Sequence, residues 1–219
     1  MGSPDYDKLI LTTDDLKWMN IPSEFWSAKL SEIDEDAKVK SRTGKKYPAR
    51  ATFVKYIRRI KEMKKANVGL LITGEPGIGK TAIATMILMA ARQHKYTGFF
   101  AMIWELRECI RSRISFDHAT SVLDRCREVD FLILDGLSEE DAWGRQFNLT
   151  DIERLITYRG QRGRVTIVTS RITAKEWKND ARMKRFYAGS ASYLTPLLFD
   201  VGDKKPKRAG DDLLFGEED

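Results

Sequence analysis

The sequence predicts a three-layer α/β sandwich, a parallel sheet with helices on both faces. Three observations carry that prediction. The runs VGLLIT (68–73), FLILD (131–135) and VTIVTS (165–170) are almost wholly apolar, without the polar alternation of a strand that shows one face to water. Segments of helical period separate these runs. A glycine-rich turn, GEPGIGKT, joins the first run to the helix behind it.

In chain order, the first element of the main domain is a helix from Ala49 to Ala66. Phe53, Ile57 and Ile60 recur at i, i+4 and i+7, with Val54 and Met63 widening the stripe. Lys55, Arg58, Arg59, Lys61 and Lys65 occupy the opposite face, which suits either solvent or nucleic acid. The strand at 68–73 follows, then a helix from about Lys80 to Gln93. GFFAMIW (98–104) reads as the second strand, with the helix-like ELRECIRSRI after it. The third strand is 131–135, a helix lies around 150–161, and 165–170 is the fourth strand. YLTPLLFDV (193–201) makes a fifth. There is no internal repeat.

Residues 49–201 thus form the main domain. Residues 1–48 are an N-terminal extension. Trp18, Ile21, Phe25 and Trp26 are too apolar for a free tail and are expected to pack on the core. EDAKVKSRTGKKYP (35–48) reads as a basic loop ending at Pro48. Residues 202–219 form a flexible tail that turns from basic to acidic; its last nine residues hold five acids and no base. Leu213-Leu214-Phe215 within it partly resembles sliding-clamp peptides, although a solubilising role suffices.

Composition sets limits on function. The 219 residues fit one domain, and 42% hydrophobic residues supply a core. A net charge of +6 favours an anionic partner, nucleic acid first and an acidic membrane surface second. Cys109 and Cys126 imply neither a disulfide framework nor a zinc knuckle, as reduced thiols of a cytoplasmic protein do not. His94 and His118 are isolated. No apolar run approaches the ~20 residues of a spanning helix, and the first residues lack the apolar core of a signal peptide.

The motif that carries chemistry is Gly74-Glu75-Pro76-Gly77-Ile78-Gly79-Lys80-Thr81, a match to G-x-x-x-x-G-K-[ST] in the right setting, strand before and helix after. Glycines let the backbone wrap phosphates where side chains would collide. Successive amides then point inward, and the helix start adds positive potential. Lys80 is placed to reach the β- and γ-phosphates, and the Thr81 hydroxyl to bind Mg²⁺. The fold is accordingly a P-loop NTPase sandwich. Asp135 ends an apolar strand, at the carboxyl edge where such sheets bind ligands, and there it can hold the water shell of the metal.

The order IPSEFW, GEPGIGKT, FLILDGL, VTIVTSR resembles the AAA+ ATPases of the DnaC/DnaI helicase-loader and IstB type, from residue 18 to about 200. The resemblance implies a sheet ordered 5-1-4-3-2, ATP with Mg²⁺, assembly into rings, spirals or filaments, and work on DNA with a replicative helicase or a transposase. It also implies a bacterial or phage-infected cell. Two positions depart from the family pattern. Gly136 stands where a second acid commonly follows, and Thr169-Ser170 is followed by Arg171 rather than Asn. Glu139 or Glu140 is then the reserve carboxylate that positions water, and slow, partner-stimulated hydrolysis is expected. RMKRFYAG resembles the arginine-finger segment, with Arg185 first and Arg182 second as groups acting on a neighbour's site. Only 18 residues follow Val201, so no C-terminal helical lid is expected.

The segment after the second strand is placed by the resemblance toward a central channel. Arg107 and Arg111 share a helix face there and Arg113 lies beyond, positioned for DNA, single-stranded rather than duplex. Four functions stay open at this stage: a helicase loader, an IstB-type transposition regulator on duplex DNA, a small-molecule kinase, and a scaffold that binds ATP without using it.

Overall fold

Apolar runs buried on both faces need a neighbour on each side and a helix above and below. That requirement is met in the computed structural model of the chain, which describes residues 10–41, 43–111, 116–138, 149–172 and 181–200. Its parallel strands are β3 (Gly69–Thr73), β4 (Gly98–Met102), β5 (Phe131–Leu137), β6 (Val165–Ser170) and β7 (Leu194–Asp200). They lie in the order β7-β3-β6-β5-β4. Counted among themselves this is 5-1-4-3-2, the order implied by the resemblance. Every residue of β3 and of β6 is buried.

Alternate residues feed two cores. Leu70, Ile72, Ile133, Ile167 and Phe100 face one layer, made by α2 (Ala49–Arg58), α3 (Ile60–Lys65), α4 (Lys80–Gln93) and the N-terminal segment. Leu71, Leu132, Leu134 and Val168 face the other. That second layer holds α5 (Ile103–Arg111), α6 (Phe116–Glu128), α7 (Leu149–Gly160) and α8 (Ala181–Ser190). Pro196, which has no N–H to give, lies in β7 outside the three positions where β7 has a neighbour on its second side.

Four sequence expectations need correction. The basic loop expected at 35–48 contains a hairpin, β1 (Lys38–Lys40) and β2 (Lys46–Pro48), which adds two antiparallel strands beyond β7 and makes the sheet seven-stranded. Three-residue strands of alternating lysine give too short a period to detect; burial of Val39 against the stacked Phe53 and Phe199 rings anchors them. The second strand ends at Met102, and Ile103 and Trp104 begin α5. The helix expected over 49–66 breaks at Arg59, whose φ of −106° and ψ of 26° leave the helical region. Its buried stripe is Phe53, Tyr56 and Ile60, with Ile57 and Met63 only partly covered. Lastly, Trp18 is half exposed rather than packed in.

Elsewhere the N-terminal segment lies against the core. Ile21 is buried, and Phe25 and Trp26 pack on the core. Met19 is fully buried; its carbonyl accepts from the amide of Phe100, and Asn20 donates to the carbonyl of Phe100. These bonds cover the outer edge of β4, which would otherwise present unpaired backbone groups. Ahead of them, α1 (Thr13–Trp18) starts on a capping box between Thr12 and Asp15, and Asp15 also pairs with Arg92 of α4. Among the described residues no helix is long and apolar enough to cross a membrane.

Candidate nucleotide site

The turn between β3 and α4 is shaped by its glycines. Gly77 and Gly79 have φ of 80° and 85°, in the left-handed region that side chains disfavour. Around Gly74 space is the constraint: an added Cβ would lie 2.7 Å from Ile78 Cδ1 and 2.8 Å from the carbonyl oxygen of Phe199. Helix α4 then begins at Lys80 with Gly79 as its cap, and no side chain takes up the free amides of its first turn. This is the geometry of an anion seat.

Lys80 lies folded into the loop, only 7% exposed, and its ammonium donates to the carbonyls of Gly74 (2.8 Å) and Glu75 (2.5 Å). Burial pushes its pKa down to about 8; the Asp135 charge opposes that shift, the Arg171 charge adds to it, and Glu75 opposes it weakly. Arg171, exposed at the end of β6, is therefore near enough to be felt at the head of Lys80.

Asp135 completes the site from β5. Its Oδ1 accepts from Thr81 Oγ1 at 2.8 Å and from Thr169 Oγ1 at 2.6 Å. The backbone explains how two strands meet on one atom. Leu134 lies opposite Val168 and Leu137 opposite Ser170, so three steps along β5 match two along β6. This is a β-bulge, which re-aims the side chain it carries. Gly136, with φ of 85°, supplies the left-handed residue the bulge requires, and its amide donates to Thr169 Oγ1 at 3.0 Å. The chain Gly136 N–H to Thr169 hydroxyl to Asp135 carboxylate fixes the acid. That clamp is not evident in the sequence, where Gly136 reads only as a missing acid.

The other sequence-derived candidates fall around this centre unevenly. Ser170 is fully buried and structural in its bonding: its hydroxyl donates to the carbonyl of Leu137 and accepts from the amide of Ile172. Arg182 and Arg185 are exposed on α8, whose buried residues are Met183, Phe186 and Ser190. Arg107 on α5 is partly buried, with its Nε and Nη2 out of solvent. Glu139, Glu140 and Arg113 lie outside the described residues, as does the side chain of Arg111.

The residues present fit a magnesium-bound triphosphate. Lys80, the open first turn of α4 and the glycine backbone suit phosphate oxygens, while Thr81 and Asp135 offer two hard oxygen donors side by side. Among the described residues no three His, Cys, Asp or Glu side chains gather as a separate metal cluster. A metal here would thus depend on Thr81, Asp135, phosphate and water, the arrangement Mg²⁺ prefers.

Comparison with known proteins bears on the family and the fold. The family model described as nSTAND3, Novel STAND NTPase 3, matches residues 53–176, more than half of the chain. No curated protein matches it. Among solved structures, that of the DnaC helicase loader superposes with a TM-score of 0.63 at 20% identity, covering 82% of this chain and 100% of that one. The structure of DnaI gives 0.63 at 19% identity, covering 85% and 94%. The replication initiator DnaA bound to AMPPCP and single-stranded DNA gives 0.51 at 15%, covering 69% of this chain and 46% of that one. At these identities the likeness is one of fold.

Proposed function

The chain belongs to the Novel STAND NTPase 3 family, and from that premise we propose that it is an ATPase whose nucleotide governs assembly on DNA. The observation that carries the reading is the meeting of Thr81 and Asp135 at 2.8 Å, beside a glycine cradle whose lysine is already folded inward. The amides of 74–81 and Lys80 bind the phosphates. Thr81 and Asp135 hold the metal, which when bound neutralises charge on the phosphate oxygens. Thr169 keeps Asp135 aimed at it. Arg171 adds a second positive charge on the same side.

Hydrolysis is slow in the isolated chain. Phosphoryl transfer needs positioned groups more than covalent chemistry, so lacking an acid at 136 lowers the rate and spares binding. Glu139 or Glu140 positions the attacking water. Arg185, with Arg182 second, reaches a neighbour's site as a finger, so that assembly completes catalysis.

The fold match over the whole DnaC chain supports a helicase-loader role, with single-stranded DNA contacted from the Arg107, Arg111 and Arg113 segment and a replicative helicase as partner. An IstB-type transposition regulator on duplex DNA, with a transposase as partner, is the second reading; the basic flank described below favours it. The proposed setting is the cytoplasm. Light scattering after size exclusion, with and without ATP and either form of DNA, tests the proposal. ATP-dependent growth on single strands is expected for a loader and long filaments on duplex for a regulator. A chain that stays monomeric with ATP and both DNAs contradicts the assembly reading.

A further inference from the structure

Charge in this molecule is unevenly placed. Between Ala37 and Asn67 the chain carries twelve lysines and arginines against one acid, Glu62, although the net charge of the whole molecule is only +6. The rest of the chain is therefore net acidic. The stretch folds into the β1–β2 hairpin beyond β7, the helix α2 that packs on it, and α3, which carries the surface on to Gly163 and Asp130.

Some of these cations have work inside the fold. Arg50 pairs with Glu35, Arg59 with Glu62 and Lys64 with Asp130, and Lys45 lies over the ring of Tyr47. Lys38, Lys40, Lys55, Arg58, Lys61 and Lys65 differ. All six are exposed, and among the described residues none makes an ion pair with a carboxylate. Lys38 and Lys40 flank buried Val39 and so share one face of the hairpin. Lys55 and Arg58 are neighbours on α2, where like charges three apart weaken a helix. A fold that neutralises Arg50, Arg59 and Lys64 leaves these six facing water.

We propose that this flank, the β1–β2 hairpin with the outer face of α2–α3, docks the phosphate backbone of double-stranded nucleic acid. The chemistry selects that occupant. An anionic membrane would call for an apolar face free to insert, and the apolar face of α2 and α3 (Phe53, Tyr56, Ile60) is buried in the core. Single strands are held by stacking on exposed aromatics. Among the described residues of the flank the one exposed large aromatic is Tyr47, 40% exposed and covered by Lys45. Cations without aromatics suit the regular phosphates of a duplex.

This surface is separate from the ATP cradle and from the Arg107 segment, so it stands or falls apart from the ATPase and loader readings, and only the duplex-DNA regulator reading gains from it. The test is fluorescence anisotropy of a labelled DNA duplex with the full chain and with a Lys55→Glu, Arg58→Glu, Lys61→Glu, Lys65→Glu variant across a salt series. Duplex affinity should fall about tenfold or more, and the slope of log K against log salt should become shallower by about 3.6, as loss of four phosphate contacts requires. ATP uptake and the thermal melting temperature should be unchanged. The matching Gln variant, which keeps helix propensity and adds no repulsion, should show a smaller loss in the same direction. Unchanged duplex affinity and slope overturn the proposal. So does a loss confined to single-stranded oligonucleotide, or confined to phosphatidylserine vesicles.

Discussion

One oxygen of Asp135 accepts hydrogen bonds from both Thr81 and Thr169, and this arrangement determines what single substitutions do. Thr169→Val removes a donor to the acid and the acceptor for the Gly136 amide while keeping the side-chain shape. We expect ATP turnover to fall about tenfold or more, since a misaimed metal ligand costs transition-state contacts. ATP affinity should change far less, and Thr169→Ser should recover most of the rate. Steady-state kinetics beside equilibrium binding separate the two effects; equal loss of both would show that Thr169 only supports the fold. Lys80 gives a second prediction. Burial brings its pKa from 10.5 down to about 8, so the unfolded chain binds more protons between those values. The penalty for burying its charge is present below pH 8 and is relieved as pH rises through that window. Phosphates favour the charged form, so ATP affinity should decline from pH 7 to 9 with proton uptake on binding. Calorimetry in buffers of different ionisation enthalpy reads that uptake, and Lys80→Arg should abolish it because arginine stays charged. The cradle was legible because all its residues are contiguous and glycine, lysine and threonine each declare a role. The Thr169 clamp was not, since its partner lies 34 positions away and the bulge that joins them leaves only Gly136 as a trace.

At the scale of elements, Arg159 of α7 holds the far end of the sheet. It is fully buried, and its guanidinium donates to Thr166 Oγ1 and to the carbonyls of Cys126, Val129 and Val165, among others. Burial pushes its pKa down, yet every bond it makes is to an acceptor, which favours the charged form. It thereby ties the end of α6 and the starts of β5 and β6 to α7. Arg159→Met leaves several buried carbonyls without donors, and about 3 kcal/mol of stability should be lost, read as a lower urea midpoint. ATP affinity of the folded protein should survive, because this pin sits at the opposite strand ends from Asp135. A substitution without effect on the midpoint would mean that water replaces the guanidinium. The elements themselves were read well where they were long and apolar: α4 spans Lys80–Gln93 as expected. They were misread where tertiary contacts decide. Nothing in KVK or KYP announces a strand until β7 offers an edge to pair with. The break at Arg59 likewise leaves no trace in the apolar spacing, because Tyr56 and Ile60 stand four apart and would share a face of an unbroken helix.

The whole molecule combines a glycine-rich turn at the carboxyl edge of a 5-1-4-3-2 sheet with exposed arginines on α8 and a basic surface on the β1–β2 hairpin, α2 and α3. The parallel order was available only through the family resemblance that the succession of motifs carries. The added hairpin and the folding of one charged stretch into one surface were not legible, because charge along a sequence says nothing of which side chains find partners. Arg185→Ala should leave ATP binding by single subunits intact while lowering DNA-stimulated turnover, and mixing it with Lys80→Ala chains should restore part of the rate, as a finger acting between subunits requires. Absence of restoration in the mixture would place Arg185 outside the site. All of this depends on a nucleotide held between residues 74–81 and Asp135. The direct measurement is titration of the full chain with Mg·ATP by calorimetry, beside Lys80→Ala and Asp135→Ala. Saturable binding by the parent, abolished by Lys80→Ala and made insensitive to magnesium by Asp135→Ala, is the predicted result; a Lys80→Ala chain that binds Mg·ATP as tightly as the parent would contradict it.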